Sequence, residues 1–198
     1  MIVGLTGQSG AGKSTVAAYF AQNGFRIIDC DGIVHALYAQ RHYAARIAEV
    51  FGAEYLTDGA VDRKKLGALV FSSPAALALL NETVRPMILA AVLNEMERAH
   101  ADGVNAVLDA PLLFEYGLES ACDTTVGVTT DIETAVRRLA ARDGKDESEI
   151  RGRLAAQHGA AYFEEHCDHI ARNTTDLASL RKELDELLGQ ILQKTTAQ

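Results

Sequence analysis

Along the chain, short apolar runs alternate with stretches whose apolar positions recur at helical spacing. Ile2-Val3-Gly4-Leu5 is the first run and leads into a glycine-rich turn. A helix is predicted from about Ser14 to Gln22, stopped by Gly24. Phe25-Arg26-Ile27-Ile28 reads as a second strand, ending in Asp29-Cys30-Asp31. Val104 to Leu108 reads as a third, Thr124 to Val128 as a fourth and His169-Ile170-Ala171 as a short fifth. Helical patterns lie between them, over Ile88–Ala101, Asp131–Arg142, Glu147–Phe163 and Leu177–Leu192. Such alternation predicts an α/β fold, a parallel sheet flanked on both faces by helices. The stretch from Val34 to His100 has a helical period and no convincing strand. It reads as an insertion between the second and third strands, carrying either substrate contacts or extra helical packing.

A chain of 198 residues suffices for one such domain with a small insertion. No apolar run reaches the roughly 18 residues that would suggest a membrane span, so no membrane partner is expected. Met1-Ile2-Val3-Gly4 does not resemble a secretion signal. Cys30, Cys122 and Cys167, odd in number and far apart, fit a reducing, cytoplasmic setting. The tail from Lys194 is expected to fray. The formal net charge of −8, from 27 acids and 19 bases, disfavours nucleic acid. It still permits a small anionic ligand, because bases concentrate between Arg137 and Arg153, where only four acids share the stretch. On pattern alone that run is equally a solvated helical face.

Gly7-Gln8-Ser9-Gly10-Ala11-Gly12-Lys13-Ser14 matches G-x-x-x-x-G-K-[ST] at every fixed position, with a strand before it and a helix after it. Glycines let the backbone turn so that successive N–H groups and a helix N-terminus cradle phosphate. Lys13 reaches toward the β- and γ-phosphates, and the Ser14 hydroxyl is a ligand for Mg²⁺. The loop specifies a nucleoside triphosphate and leaves the reaction open. No Asn-Lys-x-Asp guanine motif is present, so a small-molecule kinase fits better than a GTPase switch.

Asp29 and Asp31 follow the second strand, where parallel strand ends face a ligand crevice. Spaced two apart, they share a side if the chain stays extended. One of them could orient an acceptor hydroxyl and take its proton; taken alone, the pattern favours the plainer reading, in which Asp31 caps the following helix. His158, His166, Cys167 and His169 have no zinc-knuckle spacing and read as surface or core residues.

Taken together, the motifs resemble the dephospho-CoA kinase family from Gly4 to Asn173. Gly4 to Thr15 matches its P-loop opening, and Asp29 and Asp31 its Asp-x-Asp. Asp62-Arg63-Lys64-Lys65-Leu66 with Val70-Phe71 matches its Asp-Arg-x-x-Leu segment, and Leu80-Asn81 and Pro86 a later one. Pro111-Leu112-Leu113-Phe114-Glu115 is the most family-specific stretch after the P-loop. Arg138, Arg142, Arg153, Gln157, Asp168 and Asn173 fall where the family's lid and base-binding elements lie.

The resemblance implies a P-loop kinase fold with a five-stranded parallel sheet, a core (about 1–33, 101–142 and 165–198), a helical CoA-binding insertion (about 34–100) and a lid (about 137–164). It implies transfer of the γ-phosphoryl group of ATP to the ribose 3′-hydroxyl of dephospho-CoA by a monomer or small homo-oligomer. Lys13, Asp31, Arg138 and Arg142 would be catalytic, Asp31 at the acceptor hydroxyl and the two arginines closing on the phosphates. Gly10, Ala11, Gly12, Lys13, Ser14, Thr15, Arg142 and Asn173 would bind ATP. Asp31, Arg63, Asn81, Arg85 and the segment Pro111, Leu112, Leu113, Phe114 and Glu115 would contact the acceptor. Ser14 and Asp109 would face Mg²⁺, although Asp109 also reads as a solvated strand end. The chain departs from the pattern at Arg85, where histidine is usual, at Phe163 for a common lysine, and at Thr175 for a common glycine. The alternatives are another small P-loop kinase, for a nucleoside monophosphate, sugar acid or shikimate, or a nucleotide-binding module without turnover.

Overall fold

In the computed structural model, residues 1–174 and 176–196 are described; the departure at Thr175 lies outside them. The chain divides into two compact units, Met1–Ile28 with Ala99–Gln198, and Asp29–Arg98.

The first unit is built on five strands: β1 (Ile2–Gly7), β2 (Arg26–Asp29), β5 (Ala106–Asp109), β6 (Thr124–Thr129) and β7 (His169–Arg172), ordered β2-β5-β1-β6-β7. β1 runs parallel to β5 and β6, and β6 parallel to β7. All five expected strands exist, within two residues of their predicted bounds. Along β1 and β6 nearly every residue is buried, as a sheet covered on both faces requires. Helix α1 (Lys13–Gln22) and helix α9 (Leu177–Thr196) supply Val16, Phe20, Leu180, Leu184 and Ile191 to a core shared with Val3, Leu5, Val126 and Val128. The end expected to fray from Lys194 is thus helical to Thr196, and 197 and 198 lie outside the described residues. On the other side, α6 (Ile132–Asp143) and α7 (Glu147–Ala155) close a smaller cluster of Val136, Leu139, Ile150 and Leu154.

Two features of this unit depart from the sequence pattern. The helix expected over Glu147–Phe163 is broken into α7 and α8 (Ala160–His166), with residues 156–159 between them. Gly159, a poor helix former, takes the N-cap position of α8 with an extended backbone. Asp168, placed by the resemblance among the lid and base elements, holds two strands together. Its carboxylate accepts from Thr125 N and Oγ1, each at 2.8 Å, and from Thr124 Oγ1 at 3.3 Å, stapling the start of β7 to β6.

The second unit holds α2 (Cys30–Leu37), α3 (Arg41–Phe51), α4 (Arg63–Ser72), α5 (Pro74–Ala101, which ends just past the boundary) and a two-stranded hairpin, β3 (Leu56–Thr57) with β4 (Ala60–Val61). The hairpin was not foreseen. Asp58 and Gly59 form its loop, both with positive φ (52° and 77°), the two-residue turn that an Asp-Gly pair favours. Asp62 caps α4 by accepting from Lys64 N and Lys65 N. α5 begins fourteen residues earlier than the periodicity suggested and passes through Pro86. Its start signal is local: Ser73 Oγ accepts from Ala76 N at 3.2 Å, and Pro74 takes the first helical position. Pro86 is exposed, so water can meet the carbonyl bond it forfeits.

By length and composition α5 is also long and apolar enough to cross a membrane, with a mean hydropathy of 1.5 in its most apolar window. The sequence reading expected no such segment; a helix of a soluble fold meets the same criterion.

Gly4 shows how tightly the sheet is packed on its loop side. A Cβ there would lie 2.9 Å from Cys122 Sγ and 3.0 Å from Leu113 Cδ2. Gly4→Ala is therefore expected to cost about 1–3 kcal/mol by overpacking, read as a lower denaturation midpoint at an unchanged m-value.

Candidate active site

β1 ends at Gly7 and the chain turns through residues 8–12 into α1, so the glycine-rich loop crowns a central strand. Gly12 holds φ 90° and ψ 35° at the N-cap of α1, a left-handed conformation that only glycine adopts freely. Lys13 opens the helix, and its Nζ donates to Asp109 Oδ1, pairing the loop with the end of β5. Both side chains are mostly buried, 21% and 16% exposed. Asp109 is thus a partly sheltered carboxylate beside the phosphate loop, and the solvated-strand-end reading is set aside. Ser14 and Thr15 are exposed on the first turn of α1. Thr15 lines a separate hollow of about 430 Å³ between α1 and α9.

A cleft of about 440 Å³ opens beside the loop. One wall is Gly7, Gln8 and Ser9 with Pro111, Leu112 and Glu115; residues 155–158 face them. The 111–115 segment is fixed from several directions. Thr6 Oγ1 donates to Pro111 O at 3.2 Å. Leu113 is fully buried, so its expected substrate contact is replaced by an anchoring role against β1. Leu112 is half exposed and free to meet a ligand. Phe114 packs edge-on to Tyr162 and His166, with ring centroids at 5.9 and 5.7 Å. Glu115 lies 3.6 Å from His158 Nε2.

His158, Tyr162 and His166 form a stacked column, spaced 3.7 and 4.1 Å between centroids. Their spacing of four residues is visible in the sequence, where the histidines read as surface or core residues and the stacking with Tyr162 is not apparent. Among the described residues no group of three or more His, Cys, Asp or Glu could hold a metal ion. Phe163, at the position of a common lysine, is buried with its Cβ over Gly127.

The arginines of α6 are not a matched pair. Arg138 turns toward the loop, donating to Asn173 O at 3.2 Å and Asn173 Oδ1 at 3.3 Å, and approaching Ala11 O at 3.5 Å. Arg142, one turn on, is exposed and donates to Asp143 through Nε at 2.7 Å and Nη2 at 3.3 Å. Hydrogen bonds from Arg142, joined by Arg153, hold the Asp143 carboxyl down to about 2. The expectation that Arg138 and Arg142 face one ligand therefore gives way to two separate engagements. Arg151 chelates Glu133 at 2.8 and 2.6 Å, and Lys145 pairs with Glu149. Much of the basic run between 137 and 153 is thus an ion-paired surface.

In the second unit, Asp29 occupies the N-cap position of α2 without a side-chain cap bond, and Asp31 lies in the first helical turn. The chain does not stay extended, so the shared-side argument fails, and Asp31 is not the cap. Asp31 is exposed, and a carboxylate in a first turn is favoured by the helix dipole. Arg63 lies 4.8 Å over the Tyr38 ring and 3.3 Å from His35 Nδ1. Arginine can only donate, so Nδ1 is the acceptor in this contact. Asn81 and Arg85 are exposed one turn apart on α5.

A profile of the dephospho-CoA kinase family matches residues 1–179. The dephospho-CoA kinase of Latilactobacillus sakei is 36% identical over 195 residues, covering 98% of this chain and 96% of its own. A crystal structure from Thermus thermophilus superposes with a TM-score of 0.79 at 32% identity, over 96% of this chain and 97% of the other. The dephospho-CoA kinase of Campylobacter jejuni shares the fold at a TM-score of 0.65 and 23% identity, over 96% of each chain. With the strand–loop–helix cradle and the parallel sheet in place, these matches assign the chain to the dephospho-CoA kinase family.

Proposed function

We propose that this chain transfers the γ-phosphoryl group of ATP to the 3′-hydroxyl of dephospho-CoA, forming coenzyme A and ADP in the cytoplasm. The observation that carries the reading is a family match over residues 1–179 to a chain whose phosphate loop is complete, with Lys13 turned toward a strand-end carboxylate. The loop from Gly10 to Thr15 receives the triphosphate on its N–H groups, and Lys13 meets the transferring phosphate as a compact cation. Asp31 orients the acceptor hydroxyl and takes its proton as the oxygen bonds to Pγ. The bond from Pγ to the β,γ-bridging oxygen breaks in line, and ADP leaves. Arg142 exchanges Asp143 for phosphate when the lid segment closes.

By the family resemblance, Arg63, Asn81 and Arg85 are acceptor contacts, and so are Leu112, Phe114 and Glu115. The hydroxyl of Ser14 and the carboxylate of Asp109 are hard oxygen donors that suit Mg²⁺, an ion content with one or two protein ligands and the substrate's own oxygens. When bound, Mg²⁺ neutralises charge on the triphosphate.

ADP release measured with and without dephospho-CoA tests the reading. Release should depend on dephospho-CoA and disappear with its 3′-deoxy analogue. Equal release without acceptor, or preference for shikimate or a nucleoside monophosphate, overturns it.

A further inference from the structure

Asn173 is 4% exposed, and its N–H, carbonyl, Oδ1 and Nδ2 each have a partner inside the protein. Its N–H donates to Thr129 O at 2.8 Å, and its carbonyl accepts from Thr130 Oγ1 at 2.8 Å and from Arg138 at 3.2 Å. Its side-chain amide is oriented without ambiguity. Arginine can only donate, so Oδ1 faces Arg138; the Ala11 carbonyl can only accept, so Nδ2 faces it, at 2.7 Å. A Cβ on Gly12 would collide with that same Nδ2. An amide so nearly buried offers a nucleotide base at most its second N–H and the remaining lone pair of Oδ1.

The consequence for the loop follows from peptide geometry. The Ala11 carbonyl and the Gly12 N–H belong to one peptide plane, and in a trans peptide they point in opposite directions. Pinning the carbonyl from one side fixes the N–H on the other. The cation of Arg138, next to both the carbonyl and the amide that pins it, strengthens the arrangement, since linked hydrogen bonds polarise one another.

We infer that Asn173, held by Arg138, is a positioning residue that locks the Ala11–Gly12 peptide so that the loop's N–H groups converge on phosphate. Neither side chain acts by touching the base. The inference rests on the reading of the loop as a phosphate site and is independent of the acceptor.

Calorimetry with ATP and with inorganic tripolyphosphate, which has no base, separates the possibilities. Asn173→Ala should weaken both ligands by about tenfold or more and by the same factor, the loss expected when an anion site loses an aligned donor. In the free protein the Gly12 amide resonance should also shift. Arg138→Met, which keeps the apolar stem and leaves Asn173 in place, should weaken both ligands equally but less, and serves if the alanine variant does not fold. The inference is overturned if ATP weakens while tripolyphosphate does not, since Asn173 then reads the base. It is equally overturned if neither ligand changes in either variant. Failure of the unaltered protein to bind either ligand would instead bring down the phosphate-loop reading, and the inference with it.

Discussion

Lys13→Ala is expected to lower dephospho-CoA-dependent turnover by about 10²–10³-fold or more, the range for removing one aligned charge contact in a sheltered site. Lys13 opens α1 directly after the left-handed Gly12, so the turn of the loop and the helix N-terminus fix where its stem starts. Its ammonium already lies in a mostly buried position against Asp109, where charge is poorly screened and each contact counts for more than at a surface. Alanine would leave the Asp109 carboxylate without its cation, so circular dichroism and a melting curve must accompany the assay. A folded variant turning over at close to the normal rate would remove Lys13 from the mechanism.

Asp31→Asn should have the second-largest effect, a loss of about 10²-fold or more in turnover with ATP affinity nearly unchanged. Asparagine keeps the size of the side chain and removes the capacity to accept a proton. The cap of α2 is not at stake, because Asp29 occupies that position. The lost charge near a helix start should cost stability only about 0.3–1 kcal/mol. Single-turnover rates with saturating dephospho-CoA, alongside ATP binding by calorimetry, check both halves. Retained turnover, or joint loss of ATP binding and folding, would send the search for the acceptor carboxylate to Asp29 and Glu115.

How far the sequence carried depended on whether a relation was local or through space. The phosphate loop is local: its glycines, Lys13 and Ser14 lie within eight consecutive residues, and its strand and helix are read from the stretches on either side. The strands of the sheet were readable because each is a short run carrying apolar or β-branched residues between turns. The β3–β4 hairpin was missed because two residues per strand cannot display alternation; only Asp58-Gly59 signalled it. The long reach of α5 was hidden by Pro86, which usually ends a helix, while the start at Ser73-Pro74 was available and unread.

Site residues behaved in the same way. Leu113 and Leu112 are neighbours of the same type, yet one is buried and the other half exposed; no pattern within Pro111–Glu115 tells them apart. Arg138 and Asn173 are 35 residues apart, and their joint grip on Ala11 exists only once β7 has been laid beside β6. Asp29 and Asp31 looked equivalent until the helix began at Cys30 and gave them different positions in it.

The Cys122 thiol lies beside Gly4, and its surroundings govern its reactivity. Burial, with the charges of Asp123 and Glu119 adding to it, pushes the Cys122 thiol up to about 12. Burial and the neighbouring Asp168 do the same for Cys167, and Cys30 is buried as well. At pH 7 only about 10⁻⁵ of a thiol titrating at 12 is thiolate, the species that reacts. Cys122 and Cys167, only partly exposed, should therefore react slowly with alkylating reagents, faster when the backbone around them opens, and Cys30 is shielded by burial. The rate at which each is labelled then becomes a clock for that opening: Cys122 times the release of the 111–115 segment from β1, Cys167 the parting of α8 from the sheet, and Cys30 the start of α2. Because the three sites belong to different elements, mass-resolved labelling of the unaltered chain would show whether nucleotide quiets the whole fold or only its loop side.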